Sequence, residues 1–262
     1  MVGSLLLRGM LVGVFAGILC FAFLKTFGEP QVDRAISFET QMDEAKERAE
    51  AASAAAKGMS APVAEPQMEV VSRKTQAGIG LFTGVTVYSA SFGGLFAVVF
   101  AFVYGRGNGV GARNLAALLA LAAFIAVNVV PALKYPANPP SVGQPDTIGE
   151  RTALYFTMMA ISVAAMIGAV MLRSRLVRQH GAWNASLIAA TGYLVVVAGA
   201  AALLPSINEV PEQFPAVLLW QFRIASLGAQ AILWGTVGLA FGALTARAEK
   251  PRGRFAIGAS TG

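Results

Sequence analysis

Six long apolar runs, separated by loops whose charges are sorted by sign, constrain this chain more than any other feature. The runs cover about residues 5–27, 77–104, 114–133, 152–172, 182–204 and 217–245. A helix needs about 20 apolar residues to cross the hydrocarbon core of a bilayer, and each run qualifies. Thirteen of the fourteen acidic residues fall in the odd-numbered loops 28–76, 134–151 and 205–216, and only Glu249 lies elsewhere. The even-numbered loops 105–113 and 173–181 and the two ends carry Arg8, Arg106, Arg113, Arg173, Arg175, Arg178, Arg247, Lys250, Arg252 and Arg254. Basic loops are retained in the cytoplasm. The pattern therefore predicts cytoplasmic N- and C-termini and an acidic outer face suited to cations arriving from outside.

The composition agrees with this class. The chain is 56% apolar and 13% charged, whereas soluble domains carry about 25% charged residues. We expect an all-α, polytopic integral membrane protein of about six transmembrane helices, in contact with lipid. Residues 1–27 would form the first span, and 28–76 an outer acidic helix followed by a Pro/Ala linker. Residues 77–245 would form a five-span bundle, and 246–262 a basic cytoplasmic tail. Leu5 to Phe27 exceeds the apolar core of a signal peptide, and no A-x-A-like site follows, so it reads as a retained span. The net charge of +6 resides mostly in the cytoplasmic loops and tail. No basic patch interleaved with exposed aromatics is present, which argues against nucleic acid.

Catalysis has no foothold in the sequence. There is no P-loop and no nucleophile with a paired base, so we expect no enzyme. The stretch Gly105-Arg106-Gly107-Asn108-Gly109-Val110-Gly111 reads as a short turn between two spans. The single Cys20 lies in an apolar run without a ligand-spaced partner. We expect no permanently bound cofactor.

Small residues mark helix-packing faces. Gly9, Gly13 and Gly17 recur every four residues, as do Gly80 with Gly84 and Gly238 with Gly242. Such spacing stacks glycines on one face and lets backbones approach closely. The face would serve either packing within the chain or a homo-oligomer or partner subunit.

The two shorter outer loops are unusually stiff. Eight of the twelve prolines lie in 131–151 and 204–215, and proline fixes φ and bars helix at the residue before it. The same loops hold oxygen ligands. Glu29, Asp33, Asn138, Asp146, Glu150, Asn208, Glu209 and Glu212 could attract and partly dehydrate a divalent cation at the helix mouths. Alternatively these acids pair with Arg151 and Arg223 and shape a gate. Asn128 lies inside the third span, where a polar group usually faces the bundle. Met158, Met159 and Met166 fit packing better than soft metal ligation. The one histidine, His180, falls in a basic cytoplasmic loop, so imidazole for a transition metal would have to come from a partner.

A weak repeat is also visible. Each even-numbered span begins near an arginine: Arg73 with Gln76, Arg151 with Glu150, and Arg223 with Gln221. Three helical hairpins of the same orientation would explain it, and so would the general attraction of arginine to helix ends.

Several segments together resemble a known family. They are Phe27-Gly28-Glu29-Pro30-Gln31-Val32-Asp33-Arg34-Ala35, Ser72-Arg73-Lys74-Thr75-Gln76, Lys134-Tyr135-Pro136-Ala137-Asn138-Pro139-Pro140, Pro145-Asp146-Thr147-Ile148-Gly149-Glu150-Arg151-Thr152, Asn208-Glu209-Val210-Pro211 and Leu219-Trp220-Gln221-Phe222-Arg223. The chain is similar over nearly its whole length to the predicted cobalt transporter family CbtA. The resemblance implies a bacterial inner-membrane protein that acts with CbtB, a small single-span, His-bearing subunit. It implies Co²⁺ uptake linked to cobalamin synthesis. On this reading Glu29, Asp146, Glu150, Glu209 and Glu212 would capture the metal, with Asn138 and Asn208 adding neutral oxygens. Arg151, Arg223, Gln221 and Asn128 would line the gate and pathway. The rival reading is a non-transporting scaffold of a metal-handling complex.

Overall fold

The computed structural model describes residues 2–57, 71–106 and 109–249, which form helices and turns and no strand. The expected linker at 58–66, Gly107 with Asn108, and the tail residues Lys250, Arg252 and Arg254 lie outside the described residues. Helix α1 (Val2–Phe23) passes through a π turn at Leu24–Gly28 into α2 (Glu29–Ala56). A short α3 (Arg73–Thr75) and a π turn at Gln76–Gly80 lead into α4 (Leu81–Val103). Helix α5 (Ala112–Ala123), a π turn at Phe124–Val129 and α6 (Val130–Lys134) follow. A 3₁₀ turn at Pro145–Thr147 opens α7 (Ile148–Leu203). The described residues finish with α8 (Ala216–Thr236), a π turn at Val237–Phe241 and α9 (Gly242–Glu249).

Five of these continuous helical stretches are long and apolar enough to cross a membrane: Val2–Ala56, Arg73–Val103, Ala112–Lys134, Pro145–Leu203 and Ala216–Glu249. The sequence predicts six. The difference lies in α7, which joins the fourth and fifth apolar runs. Its only break is Gly181, at φ 73° and ψ 165°, a conformation open essentially to glycine alone. The residues expected as a loop at 173–181 contain no proline before that glycine. The helix therefore continues through them and turns at one joint.

The chain divides into two compact units. Unit 1 comprises residues 1–20, 82–124 and 231–262, and unit 2 comprises 21–81 and 125–230.

Unit 1 is built on close backbone approach and stacked aromatics. A Cβ on Gly9 would strike the carbonyl of Gly93, and one on Gly13 would strike the carbonyl of Ser89. A Cβ on Gly17 would lie 2.8 Å from the Thr86 Cα. The α1 glycine stripe is therefore covered by α4 of the same chain. Gly238 and Gly242 meet Ala120 and Ala116 of α5 in the same way. Gly84, by contrast, faces open space, so the Gly80–Gly84 spacing marks no packing face among the described residues of this chain. Phe96, Phe100, Trp234 and Phe241 fill the adjoining core with edge-to-face pairs, an arrangement that satisfies the ring quadrupoles. The Arg8 guanidinium donates to the buried Thr245 hydroxyl at 3.0 Å.

Unit 2 holds all three acid-bearing loops. The start of α2 packs there: Ala35, Val142, Phe214 and Leu218 form one apolar cluster. Beyond Phe38 the α2 side chains are almost all exposed, with an Arg48–Glu44 pair at 2.7 Å. The loop after α6 is pinned at three points. Tyr135 donates to the Pro205 carbonyl at 2.7 Å, Lys134 to the Ser206 hydroxyl at 2.7 Å, and Ser141 to the Ala35 carbonyl at 3.1 Å. A second cluster joins Val130, Tyr135, Met158 and Tyr193, and Tyr193 shares a buried 2.8 Å hydrogen bond with Ser162. Met158 thus serves packing.

Large apolar side chains such as Leu7, Leu11, Phe102, Leu133 and Leu194 lie exposed on the helices. Lipid accepts such a surface where water does not, and helices satisfy their own backbone within it. The chain is a polytopic helical membrane protein. Substituting Gly93→Ala forces α1 from α4 and should lower stability by about 1–3 kcal/mol. Gly84→Ala should leave the unfolding midpoint in detergent unchanged, and equal losses in both variants would contradict this packing.

Candidate functional site

A cavity of about 720 Å³ opens within unit 2 between the two proline-rich loops and the faces of α7 and α8. Its charged lining is Arg151, Arg223 and Glu209, and its polar lining includes Asn128, Asn138, Asn208 and Gln230. Apolar and aromatic side chains, among them Tyr155, Trp220 and Leu227, complete the wall. Each element reaches the cavity for a local reason. The i, i+3, i+4, i+7 spacing of Arg223, Ser226, Leu227 and Gln230 puts them on one face of α8. Asn138 and Glu209 sit in loops that proline keeps out of helix.

The three repeat arginines each clasp an oxygen acceptor at the end of an odd-numbered span. Arg73 Nη2 lies 2.5 Å from Glu29 Oε2 and 2.9 Å from Asp33 Oδ1. Arg151 Nε lies 3.5 Å from Glu209 Oε2, and its Nη2 donates to the Gln144 carbonyl at 3.2 Å. Arg223 Nη2 donates to Asn138 Oδ1 at 2.8 Å and its Nε to the Ala137 carbonyl at 3.3 Å. In each case a proline follows the acceptor within two residues: Pro30, Pro211 and Pro139. Span two thus clasps span one, span four clasps span five, and span six clasps span three.

The clasps differ in charge. Glu29 is only 8% exposed, and a carboxylate so buried needs its arginine. Glu209 is held by more than Arg151. The Thr147 hydroxyl and then the Gln144 N–H at 2.7 Å keep its carboxyl below the usual range against a smaller opposing effect of desolvation, and the Arg151 charge adds the least. The third clasp has an amide where the others have carboxylates. Arg223 forms no ion pair among the described residues.

Gly143 makes the second clasp possible. Its φ is 117°, and a Cβ there would lie 2.7 Å from the Arg151 guanidinium carbon. The guanidinium lies over the bare backbone.

The structure brings Asn138, Asn208, Glu209, Asn128, Arg151 and Arg223 to one cavity. Asn128 is buried, 6% exposed. It does not bring the remaining expected ligands there. Glu29 is committed to Arg73, and Asp146, Glu150 and Glu212 point outward as exposed side chains. Gln221 is exposed and lines a separate groove with Arg34, whose guanidinium reaches it at 3.4 Å. Among the described residues, no three His, Cys, Asp or Glu side chains converge as metal ligands. His180 is exposed beside the Gly181 joint. Sequence reasoning missed Arg73 as a clasp, and missed Gly143 and Gln230 altogether. The shared arginine positions carried the signal for the first, and only the fold reveals the other two.

Two outcomes follow. Gly143→Ala should displace the Arg151 guanidinium and strain a positive φ, destabilising the protein by about 1 kcal/mol or more; an unchanged unfolding midpoint would refute the seat. The depressed Glu209 carboxyl keeps its clasp intact above the ordinary glutamate value of about 4.3. The clasp is lost as pH falls through the lower folded value. The Gln144 amide resonance should therefore titrate with a midpoint below about 4.3, and only while Glu209 is present.

No curated protein and no solved structure matches this chain. The family model described as probable cobalt transporter subunit (CbtA) matches residues 2–246. Nearly the whole helical membrane chain, with its three arginine clasps, falls within that match, and the protein belongs to the CbtA family of transporter subunits.

Proposed function

We propose that this chain is the membrane-spanning subunit through which Co²⁺ enters the cell, set in a bacterial inner membrane with both termini cytoplasmic. The family match carries this reading, and the charge sorting of the loops supports its orientation. Inward movement of each positive charge gains about 2.3 kcal/mol per 100 mV, so membrane potential suffices to drive a divalent cation. The absence of converging ligands among the described residues supports a division of labour. Nitrogen ligands for a first-row metal come from a small single-span, His-bearing subunit of the CbtB kind. This chain supplies the passage and its arginine-braced mouth. Uptake would serve cobalamin synthesis.

The Arg151–Glu209 clasp is the gate in this reading. An arriving cation competes with Arg151 for the Glu209 carboxylate, and neutral oxygens of Asn138 and Asn208 lie along the same wall. Exposed Glu212 draws cations by charge alone.

The test is ⁵⁷Co²⁺ accumulation in cells lacking their own cobalt uptake, with this chain expressed alone and with the His-bearing subunit. Uptake is expected only with both. Glu209→Gln with Glu212→Gln should lower it several-fold at unchanged membrane abundance. No uptake in either case, despite normal insertion, would favour the scaffold reading over transport.

A further inference from the structure

The cavity in unit 2 has an uneven charge that the cobalt reading leaves unexplained. Of its charged lining, Arg151 and Glu209 answer each other, and Arg223 remains. A bare cation gains nothing from an uncompensated guanidinium on the cavity wall. Arg223 spends one Nη2 proton and its Nε proton on Asn138 and Ala137. A guanidinium carries five donors, and three of those on Arg223 have no acceptor among the described residues. A planar fork of this kind matches a carboxylate with two parallel hydrogen bonds.

A second group on the same wall asks for the opposite partner. The Gln230 Oε1 atom is buried and has no hydrogen-bond donor among the described residues. It lies seven residues beyond Arg223 on α8, two turns along the same face, about 10 Å at 1.5 Å per residue. A buried acceptor without a donor is unfavourable. The wall therefore offers donors for an oxyanion at one end and an acceptor for a hydroxyl or amine at the other. Its volume of about 720 Å³ falls within the range of small-molecule sites, about 300–1,000 Å³.

We propose that this cavity binds a small organic carboxylate that also carries a hydroxyl or amino group, with the carboxylate on Arg223 and the donor on Gln230. This site rests on the cavity alone and stands or falls independently of cobalt passage.

The experiment uses the full chain in phosphatidylcholine nanodiscs, with thermal unfolding read against malate, citrate, succinate and inorganic phosphate. Malate and citrate are expected to raise the midpoint, and succinate, which lacks the hydroxyl, to raise it less. Arg223→Lys keeps the charge but loses the fork and should weaken binding about tenfold, a 1.4 kcal/mol effect. Gln230→Leu leaves the Arg223 clasp intact and should erase the preference for malate over succinate. Arg223→Gln should abolish the shift, and the Lys and Leu variants keep the test valid where that protein does not fold. Three results would overturn the proposal. One is no shift with any carboxylate. Another is an equal shift with phosphate that survives in the variants. The last is loss of malate binding in discs containing phosphatidylglycerol, which would assign the oxyanion to lipid.

Discussion

An arginine at the mouth of a membrane helix cannot be left bare, and this structure depends on how three of them are answered. Each of Arg73, Arg151 and Arg223 stands at the start of an even-numbered span and bonds the end of an odd-numbered one. An ionised side chain at the centre of a membrane helix is unfavourable by about 2.5–3.5 kcal/mol, and one near the helix end by less. Pairing relieves that penalty and ties loops that sequence separates by up to 86 positions. The prolines that follow Asn138 and Glu209 keep those two acceptors out of helix, whereas Glu29 opens α2 with Pro30 in its first turn, so each clasp has a rigid end to hold.

Equivalent position does not mean equivalent electrostatics. The Arg73 clasp carries one negative charge in excess, the Arg151 clasp is neutral, and the one built on Asn138 keeps its positive charge. A carboxylate at that position would close the cavity electrostatically, as it does at Glu209. The amide instead holds Arg223 in place without cancelling it. Position is thereby separated from charge, which is what a wall that must both keep its shape and attract a ligand requires. The Arg151–Glu209 clasp beside it is the converse case. It is embedded in backbone and hydroxyl hydrogen bonds, so opening it would disturb two loops together.

Much of the fold is legible in the sequence because lipid imposes a simple rule. Apolar runs of spanning length become helices, and all six runs do. The missed feature, the joining of two runs in α7, arises because residues 173–180 lack a breaker and Gly181 alone makes the turn. The site was less legible. Arg151 has Glu150 as its chain neighbour, yet adjacent residues on a helix point to different faces, and the partner is Glu209, far along the sequence. The acidic loops looked like one cluster because charge sorting is visible in sequence. Which acid is buried and which is solvated depends on packing, and that separates Glu29 from Asp146, Glu150 and Glu212. The α1 glycines were legible as a face but not as to whose face it meets; the backbone of α4 answers that.

The π turn at Leu24–Gly28 has a consequence for how this helix can change. Before it, the Phe23 ring lies over Gly228, where a Cβ would come within 2.7 Å of the ring. After it, Glu29 faces Arg73. A π turn inserts one residue into the α-helical winding, and one residue is worth about 100° of rotation. The turn therefore sets the phase between these two contacts. Deleting a single residue there would restore regular α winding and leave both contacts in phase, whereas adding one would turn Glu29 away from Arg73 by about 100°. The turn is thus a store of one residue of length, and the segment can give that residue up without losing either contact.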